Sequence, residues 1–199
     1  TGLRLDVIPG DEEARLSAQG VLLGWPGSYG LVCDIGGASM ELADLAQGRV
    51  GRRVTSPLGG LKLREVKGGP KALSAHVARH VARLHAEMGG ETGMRLFLVG
   101  GSWRAIARLD MERRQWPLTV LHEYRMTSEA VAATRAFIGQ ADLDALRARL
   151  GISQDRMDLV PVAIQVLDEL VRVFRPKDIA GSSYGLREGM LFERMPPPL

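Results

Sequence analysis

The sequence predicts a mixed α/β domain, and three observations lead to this prediction. Short apolar runs that end in glycine pairs alternate with longer segments whose apolar residues recur every three or four positions. Of the 24 glycines, 19 lie in residues 1–101, so we expect turns in the first half and mainly helices in the second. With 45% hydrophobic and 25% charged residues, the composition is that of an ordinary globular protein rather than a disordered or collagen-like one.

The first half predicts a strand, a helix and a three-stranded meander. Residues 3–8 alternate as a short strand, and Asp11 is expected to be the N-cap of a helix with acidic residues in its first turn. Three strands joined by tight turns follow, over residues 29–35, 39–46 and 49–56.

The rest of the chain predicts helices alternating with two further strands. The clearest amphipathic helix covers residues 70–90, where apolar residues recur at steps of three and four. Further helices are expected over residues 103–109, 127–138, 141–150, 157–174 and 186–194, and strands over 95–99 and 177–181. A meander followed by alternating helices and strands is the element order of a ribonuclease H-like domain, a mixed sheet with flanking helices.

Composition and charge exclude several classes of protein. No run approaches the length of about 18 apolar residues that a membrane span needs, no signal peptide pattern begins the chain, and one cysteine cannot form an internal disulfide. We therefore expect a cytoplasmic location and no membrane partner. A net charge of +3 is too small to indicate nucleic-acid binding. The use of 22 Arg but four Lys suits phosphate binding, although the codon bias of a GC-rich genome would give the same ratio.

The most informative segment is DIGGASME, residues 34–41. An acidic residue ends an apolar strand, two glycines turn the chain, and a hydroxyl and a second carboxylate follow. Backbone N–H groups in such a turn can cradle a phosphate, here those of Gly36, Gly37, Ala38 and Ser39. Asp34 and Glu41 would then offer hard oxygen ligands to Mg²⁺. A plain hairpin turn after a strand-end aspartate fits the same spacing, so both interpretations stand at this point.

A second loop of the same type follows the strand at residues 95–99. Gly100, Gly101 and Ser102 again connect an apolar strand to a helix. Two such loops could face each other across a cleft and present N–H groups to phosphates. Ser102 would also serve as a helix N-cap, and that role does not exclude the first. The pairs Gly59–Gly60, Gly68–Gly69 and Gly89–Gly90 are interpreted as connections.

Two other patterns carry no function. Residues 181–185 match G-x-S-x-G, but all four histidines precede them, so the order of a hydrolase triad is impossible. His76 and His80 have helical spacing without the glutamate of a zinc protease motif, and we interpret them as part of a helix face.

Four segments give the chain a family resemblance. PGDEEARLSAQGVL, VCDIGGASMEL, LVGGSWRAIARL and SSYGLREGMLF occur in this order and span nearly the whole chain. The sequence thereby resembles the exopolyphosphatase / guanosine pentaphosphate phosphatase family of the sugar kinase/Hsp70/actin superfamily. The resemblance implies Mg²⁺-dependent release of terminal phosphate from inorganic polyphosphate or guanosine pentaphosphate. It also implies a possible homodimer.

The resemblance assigns roles residue by residue. Glu13 matches the catalytic carboxylate, a general base that orients and deprotonates the attacking water, although on sequence alone it reads as a first-turn helix carboxylate. Asp34 and Glu41 match acidic residues with metal-binding or water-orienting roles, and the two glycine loops match the family's phosphate loops. Arg187 and Glu188 match a terminal motif that we interpret as mainly structural.

The chain also departs from the family pattern. Ala38 replaces the usual third glycine and Met40 the usual threonine, and Ala38 is costly only if its position needs a positive φ. Nothing matches the family's first domain, which carries another phosphate loop. Residues 1–195 are therefore expected to be the second ribonuclease H-like domain, with a proline-rich tail over 196–199, and to be weak or inactive alone. A non-catalytic sensor of guanosine tetra- or pentaphosphate or of polyphosphate is the main alternative, and an ATP-dependent kinase is another.

Overall fold

The structure is a computed structural model, and it describes residue 2 and residues 6–195. Within these residues, six strands form one sheet in the order β3-β2-β1-β4-β6-β5. The strands are Gly30–Ile35 (β1), Met40–Ala46 (β2), Arg49–Ser56 (β3), Arg95–Val99 (β4), Arg125–Met126 (β5) and Asp178–Gly181 (β6).

Helices flank the sheet on both faces. In the described part of the chain they are Gly10–Gly24 (α1), Gly60–Arg64 (α2), Gly69–Glu87 (α3), Gly101–Arg113 (α4), Ser128–Ile138 (α5), Leu143–Leu150 (α6), Gln154–Met157 (α7), Val160–Phe174 (α8) and Leu186–Arg194 (α9). Among these helices, none combines the length and the apolar character that crossing a membrane requires.

Strand pairing confirms the predicted mixed α/β fold. β1, β2 and β3 form the expected antiparallel meander, while β1 pairs parallel with β4 and β4 parallel with β6. Because parallel strands end at the same sheet edge, the loops that follow β1, β4 and β6 lie together. In register, Asp34 is opposite Glu41 on one side and Val99 on the other.

The alternation of side chains along each strand builds two apolar layers. On β1, Leu31 and Cys33 face the larger layer, which contains buried residues of α3, α4, α5 and α8. Val32, between them, faces the smaller layer with Phe97 of β4 and the apolar residues of α1. The sheet is therefore covered on both faces, and only its edges and the ends of its strands are open to a ligand.

α1 and α9 approach each other very closely because both carry glycine at the contact. A Cβ on Gly20 of α1 would lie 2.1 Å from the carbonyl oxygen of Gly185, just before α9. A Cβ on Gly189 of α9 would lie 2.0 Å from the carbonyl oxygen of Leu16. This close packing fixes α9 against α1, and it brings the first turns of both helices to the strand ends.

The beginning of the chain differs from the prediction. Residues 3–5 of the predicted first strand lie outside the described residues, and residues 6–9 are not in a strand. Asp11 is not the N-cap of α1, because the helix starts one residue earlier at Gly10. The carbonyl of Pro9 accepts the N–H groups of Glu12 and Glu13 at 3.0 Å, so the backbone begins the helix without a side-chain cap.

Elsewhere the differences from the predicted elements are small. The predicted helix over 157–174 is observed as α8, which begins at Val160, and Met157 instead ends the separate short helix α7. Pro161 lies in the first turn of α8, where its missing N–H costs nothing. The five-residue helix α2 and the two-residue strand β5 were not predicted, because neither is long enough to show a periodic pattern. The proline-rich tail over 196–199 lies outside the described residues.

Candidate active site

Asp34 lies at the end of β1, close to the sheet edge where the loops meet. The hydroxyl of the fully buried Ser17 on α1 donates a hydrogen bond to Oδ2 of Asp34 at 2.5 Å. Burial raises the pKa of Asp34 to about 6, and the negative charge of Glu13 adds to that rise. The hydrogen bond from Ser17 and the positive charge of Arg104 act in the opposite direction. Asp34 is thus a carboxylate that a cation would stabilise.

Glu13 and Asp34 line the same open cleft, of about 280 Å³, which we call the Asp34 cleft. Its other lining residues come from the end of β4 and the loop after it, from α4, from α7, from the loop after β6 and from the first turn of α9. Glu13 is half-buried in the first turn of α1. α1 is held there against β3, because Gly10 leaves room for the side chain of Thr55, to which a Cβ would come within 2.9 Å.

Glu41 is placed differently from the other two carboxylates. It is 1% exposed on β2, and the hydroxyl of Thr55 donates to its Oε1 at 3.0 Å. Its Oε2 is buried, and no hydrogen-bond partner for it is found in the described part of the structure. Burial raises the pKa of Glu41 to about 7, against the hydrogen bonds from Ser39 and Thr55, and the charges of Glu13 and Asp34 raise it further. Glu41 lies behind the cleft rather than on its wall.

The loop after β1 is shaped by hydrogen bonds at both of its ends. The N–H of Gly36 donates to the carbonyl of Ser39 at 2.9 Å, which closes the hairpin. The carbonyls of Gly36 and Gly37 accept the N–H groups of Gly60 and Leu61, at 3.0 and 2.8 Å, in the first turn of α2. In a trans peptide the N–H points opposite to the carbonyl. The N–H groups of Gly37 and Ala38 therefore point away from α2, as a phosphate cradle requires.

Gly59 is a site residue that the sequence did not reveal. A Cβ at this position would lie 2.2 Å from the carbonyl carbon of Ala38 and 2.3 Å from the nitrogen of Ser39. Only glycine lets the chain before α2 pass this close to the loop, so Gly59 supports the loop rather than merely connecting two elements. No local signal would have shown this, because residues 59 and 38 meet only after the meander has formed.

The two departures from the family pattern cause no backbone strain. Among the described residues, the non-glycine positions with positive φ are Gln47, Gln115, Glu123 and Arg175, so Ala38 does not need glycine. Met40 is fully buried in the core and lies away from the cleft.

The second loop meets the end of β1 at Gly100. Its φ is 113°, and a Cβ there would lie 2.9 Å from the carbonyl oxygen of Ile35 and 3.0 Å from Oδ1 of Asp34. Glycine is therefore required both for the conformation and for the close approach. Gly101 begins α4, so the N-cap is Gly100 and the alternative role of Ser102 as N-cap is wrong. Ser102 is buried inside the first turn.

Two arginines in the Asp34 cleft were also missed. Arg104 of α4 donates to the carbonyl oxygen of Ser183 at 3.4 Å, and its Nε is buried without a partner in the described structure. Arg156 of α7 lies over the start of α4, where a Cβ on Gly101 would come within 2.9 Å of its Nε. Their guanidinium groups suit the binding of a phosphate. The abundance of arginine was visible in the sequence, but not which arginines would converge.

Arg187 and Glu188 also line the Asp34 cleft, from the first turn of α9. Oε2 of Glu188 accepts the N–H of Gly185 at 2.8 Å, so this carboxylate helps to begin the helix. Such a contact fits the structural role expected for the motif.

The donor set around Asp34 is compatible with Mg²⁺ but does not form a closed protein cage. Among the described residues, no group of three or more His, Cys, Asp or Glu side chains is arranged to hold a metal ion. Mg²⁺ is usually held by one or two carboxylates together with substrate phosphates and water. The carboxylate of Asp34, which is half-buried and close to the negative charge of Glu13, fits that role, and Mg²⁺ binding stays a prediction.

Comparisons with known proteins identify the family and support the fold. A model of the Ppx/GppA phosphatase family matches residues 1–197. A search of curated proteins found no match. Among solved structures, the chain is similar to an Aquifex aeolicus Ppx/GppA phosphatase, with 17% identity over 95% of this chain and a TM-score of 0.76. It is also similar to an exopolyphosphatase-like protein, with 22% identity over 96% of this chain and a TM-score of 0.82.

A third similar structure is an exopolyphosphatase from Cytophaga hutchinsonii, with 20% identity over 92% of this chain and a TM-score of 0.78. The chain spans 62–67% of the length of these three proteins. At these identities the structures support the fold alone, a mixed α/β sheet with flanking helices. The family assignment follows from the family model, which matches nearly the whole chain. This protein belongs to the Ppx/GppA phosphatase family.

Proposed function

We propose that this chain forms one side of a phosphoanhydride hydrolase site that releases the terminal phosphate of inorganic polyphosphate or of guanosine pentaphosphate. One observation supports this most directly. The carboxylates of Glu13 and Asp34 line one cleft together with Gly100, Gly101 and two arginines. Carboxylates that can activate water, beside groups that bind phosphate, are what phosphate-ester and phosphoanhydride hydrolysis needs.

In the proposed mechanism Glu13 accepts a proton from the attacking water. It lies on the wall of the cleft at the first turn of α1, where its carboxylate can meet a water molecule. Water oriented by this carboxylate would attack the terminal phosphorus from the Glu13 side, and the remaining phosphate chain would leave on the far side. A positioned base of this kind contributes roughly 10²–10⁴-fold to a rate.

The other groups would hold the substrate. The N–H groups of Gly37 and Ala38, on the side of the loop away from α2, and the N-terminus of α4 would bind phosphate oxygens. Arg104 and Arg156 would balance their charge. Asp34 would hold Mg²⁺, with its carboxylate oriented by Ser17. Mg²⁺, when bound, supplies further neutralisation of the negative charge on the transferred phosphate.

A companion domain is part of this proposal. The similar solved proteins are longer than this chain, which spans 62–67% of them. We propose that a domain carrying another phosphate loop covers the open side of the Asp34 cleft and that the two together form the working site.

The test is a phosphate-release assay with Mg²⁺ on the 199-residue chain and on any longer natural chain that contains it, using both substrates. We expect Glu13→Gln to lower kcat by at least about 100-fold, because the amide cannot accept the proton. Glu12→Gln is the matched control, since Glu12 is paired with Arg15 at 2.7 Å and does not line the cleft. Equal effects of the two substitutions would contradict the role of Glu13. Substrate binding by calorimetry without any turnover by the longer chain with Mg²⁺ would favour the sensor.

A further inference from the structure

A second groove continues from the Asp34 cleft along α4. It has a volume of about 260 Å³ and shares Gly101, Arg104, Arg156 and Ser183 with that cleft. At its far end are Arg108 of α4 and the turn after α6. We call it the Arg108 groove. The two depressions are thus one continuous path across the start of α4.

The two ends of this path differ in charge. At the cleft end the carboxylates of Glu13, Asp34 and Glu188 are accompanied by three arginines, so that negative and positive groups are mixed there. The charged side chains lining the Arg108 groove are arginines alone, within the part of the chain that the structure describes. A linear polyanion would therefore be oriented along the path, with its reacting end at the carboxylates and the rest of the chain at the arginines.

The arginines of the groove are free to bind an anion. No ion pair with a described carboxylate is found for Arg104, Arg108 or Arg156. The next arginine beyond the groove differs, because Arg149 pairs with Glu112 at 2.6 Å. The row of unpaired positive charge therefore ends at Arg108.

Arg108 is also held in a fixed position. Its NH1 donates to the carbonyl oxygen of Leu150, at the end of α6, at 3.0 Å, which leaves its other nitrogens for a ligand. Arg104 and Arg108 are four residues apart on α4, so their side chains emerge on the same face of the helix, one turn apart. The pair presents two successive positive charges to a chain of phosphates.

We infer that the Arg108 groove binds the distal phosphates of long-chain inorganic polyphosphate and that Arg108 makes the site prefer long chains to short ones. This inference rests on the proposed function, because the proposed function places the reacting end of the polyphosphate chain in the Asp34 cleft. It adds a residue that neither the phosphate loops nor the catalytic carboxylates include.

The test is equilibrium binding of three ligands to the 199-residue chain by calorimetry at fixed salt: long-chain polyphosphate, tripolyphosphate and guanosine pentaphosphate. We expect Arg108→Gln to weaken the binding of long-chain polyphosphate by about tenfold, the effect of losing one charge-assisted contact. Tripolyphosphate and guanosine pentaphosphate should change by less than about twofold, because they are too short to use the groove beyond the cleft.

Two variants separate charge from structure. Arg108→Lys keeps the positive charge and should retain most of the preference for long chains, even if the contact with Leu150 is lost. Arg79→Gln is the matched control, since Arg79 is an exposed arginine of α3 that lines neither depression. It should leave the binding of all three ligands unchanged.

The inference fails if Arg108→Gln does not weaken long-chain binding, or weakens all three ligands equally. Because binding needs no turnover, the result can be read even if the chain hydrolyses nothing. The two proposals can also be separated. If hydrolysis depends on Glu13 but Arg108→Gln does not change the preference for long chains, this inference is wrong and the proposed function still stands.

Discussion

At the scale of single residues, the environment disfavours the ionised form of two carboxyl groups, those of half-buried Asp34 and buried Glu41. Asp34 and Glu41 both have a raised pKa, for the same main reason, which is burial. Asp34 keeps a hydrogen bond from Ser17 and faces the cleft, whereas Glu41 has one oxygen bound to Thr55 and the other without a partner among the described residues. A ligand in the cleft could therefore contact the carboxylate of Asp34, whereas the carboxylate of Glu41 is enclosed by protein.

The raised pKa of Glu41 predicts a pH-dependent stability. Its pKa is about 7 in the folded protein against an ordinary value of 4.5. Between these two values the folded protein holds a proton that the unfolded chain has released, so the free energy of unfolding falls as the pH rises through this window. The neutral amide that replaces the carboxyl group in the Glu41→Gln variant has no such proton to lose. When the pH is raised from about 4 to about 8, the free energy of unfolding of Glu41→Gln should therefore increase by about 3 kcal/mol relative to that of the parent.

Urea unfolding of the parent and of Glu41→Gln at those two pH values measures this gain. Glu65→Gln is a suitable control, because the side chain of Glu65 is 67% exposed and pairs with Lys62 at the surface. It should show no comparable change between the two pH values. A difference between Glu41→Gln and the parent that is the same at both pH values would show that folding does not raise the pKa of Glu41.

The residue scale also shows what the sequence could and could not predict. Asp34 and Gly100 were identified because each carries its signal locally, as the polar or glycine residue that follows an apolar strand. Gly59, Arg104 and Arg156 were missed as site residues because their importance comes from contacts with residues far away in the chain: Gly59 with Ala38, Arg104 with Ser183, and Arg156 with Gly101. Such contacts exist only once the sheet has set the distances.

At the scale of elements, the same distinction holds. The apolar run of β1 and the apolar stripe of α3 extend over enough residues to be recognised, and both elements were predicted nearly to their ends. α2 has five residues, and its first turn is held by the carbonyls of Gly36 and Gly37 rather than by a cap of its own. Its existence depends on the loop it supports, so local sequence patterns cannot predict it.

This dependence predicts that Gly59 and Gly60 respond differently to substitution. In Gly59→Ala the new Cβ would lie 2.2 Å from backbone of the 36–39 loop, which cannot move without changing the phosphate cradle. In Gly60→Ala it would lie 3.1 Å from the end of the flexible Leu159 side chain. Neither position has a positive φ, so the backbone conformation itself is acceptable in both variants.

We expect Gly59→Ala to weaken tripolyphosphate binding by at least about tenfold and to cost about 1–3 kcal/mol of stability. Gly60→Ala should bind nearly as well as the parent. Calorimetry and urea unfolding on the two variants give both quantities. Equal binding by the two would mean that the loop does not contact phosphate.

At the scale of the whole molecule, the groups to which the proposed function gives catalytic and binding roles lie on one side of an open depression. The parallel strands β1 and β4 bring the two glycine loops together, and the glycine contacts between α1 and α9 bring Glu13 and the start of α9 to the same edge. All of these groups would therefore approach the proposed substrate from the same side, where the parallel strands end. Phosphoryl transfer is accelerated by donors and charges that surround the transferred group and exclude bulk water, and one wall of a cleft supplies only part of that surrounding.

We therefore expect the present chain alone to release phosphate from polyphosphate at least about 100-fold more slowly than a chain that also carries the companion domain. A rate loss of this size is typical when a hydrogen-bond donor to the charge that develops in the reaction is removed. Its affinity for long-chain polyphosphate should fall much less, because the arginines and both glycine loops are already in this chain. The measurement is the rate of phosphate release with Mg²⁺, beside calorimetric binding, for the two chains at the same concentration. If the shorter chain releases phosphate rapidly and Glu13→Gln abolishes this release, one wall of the cleft is sufficient for hydrolysis. The companion domain would then have to contribute to substrate choice instead of the chemical step.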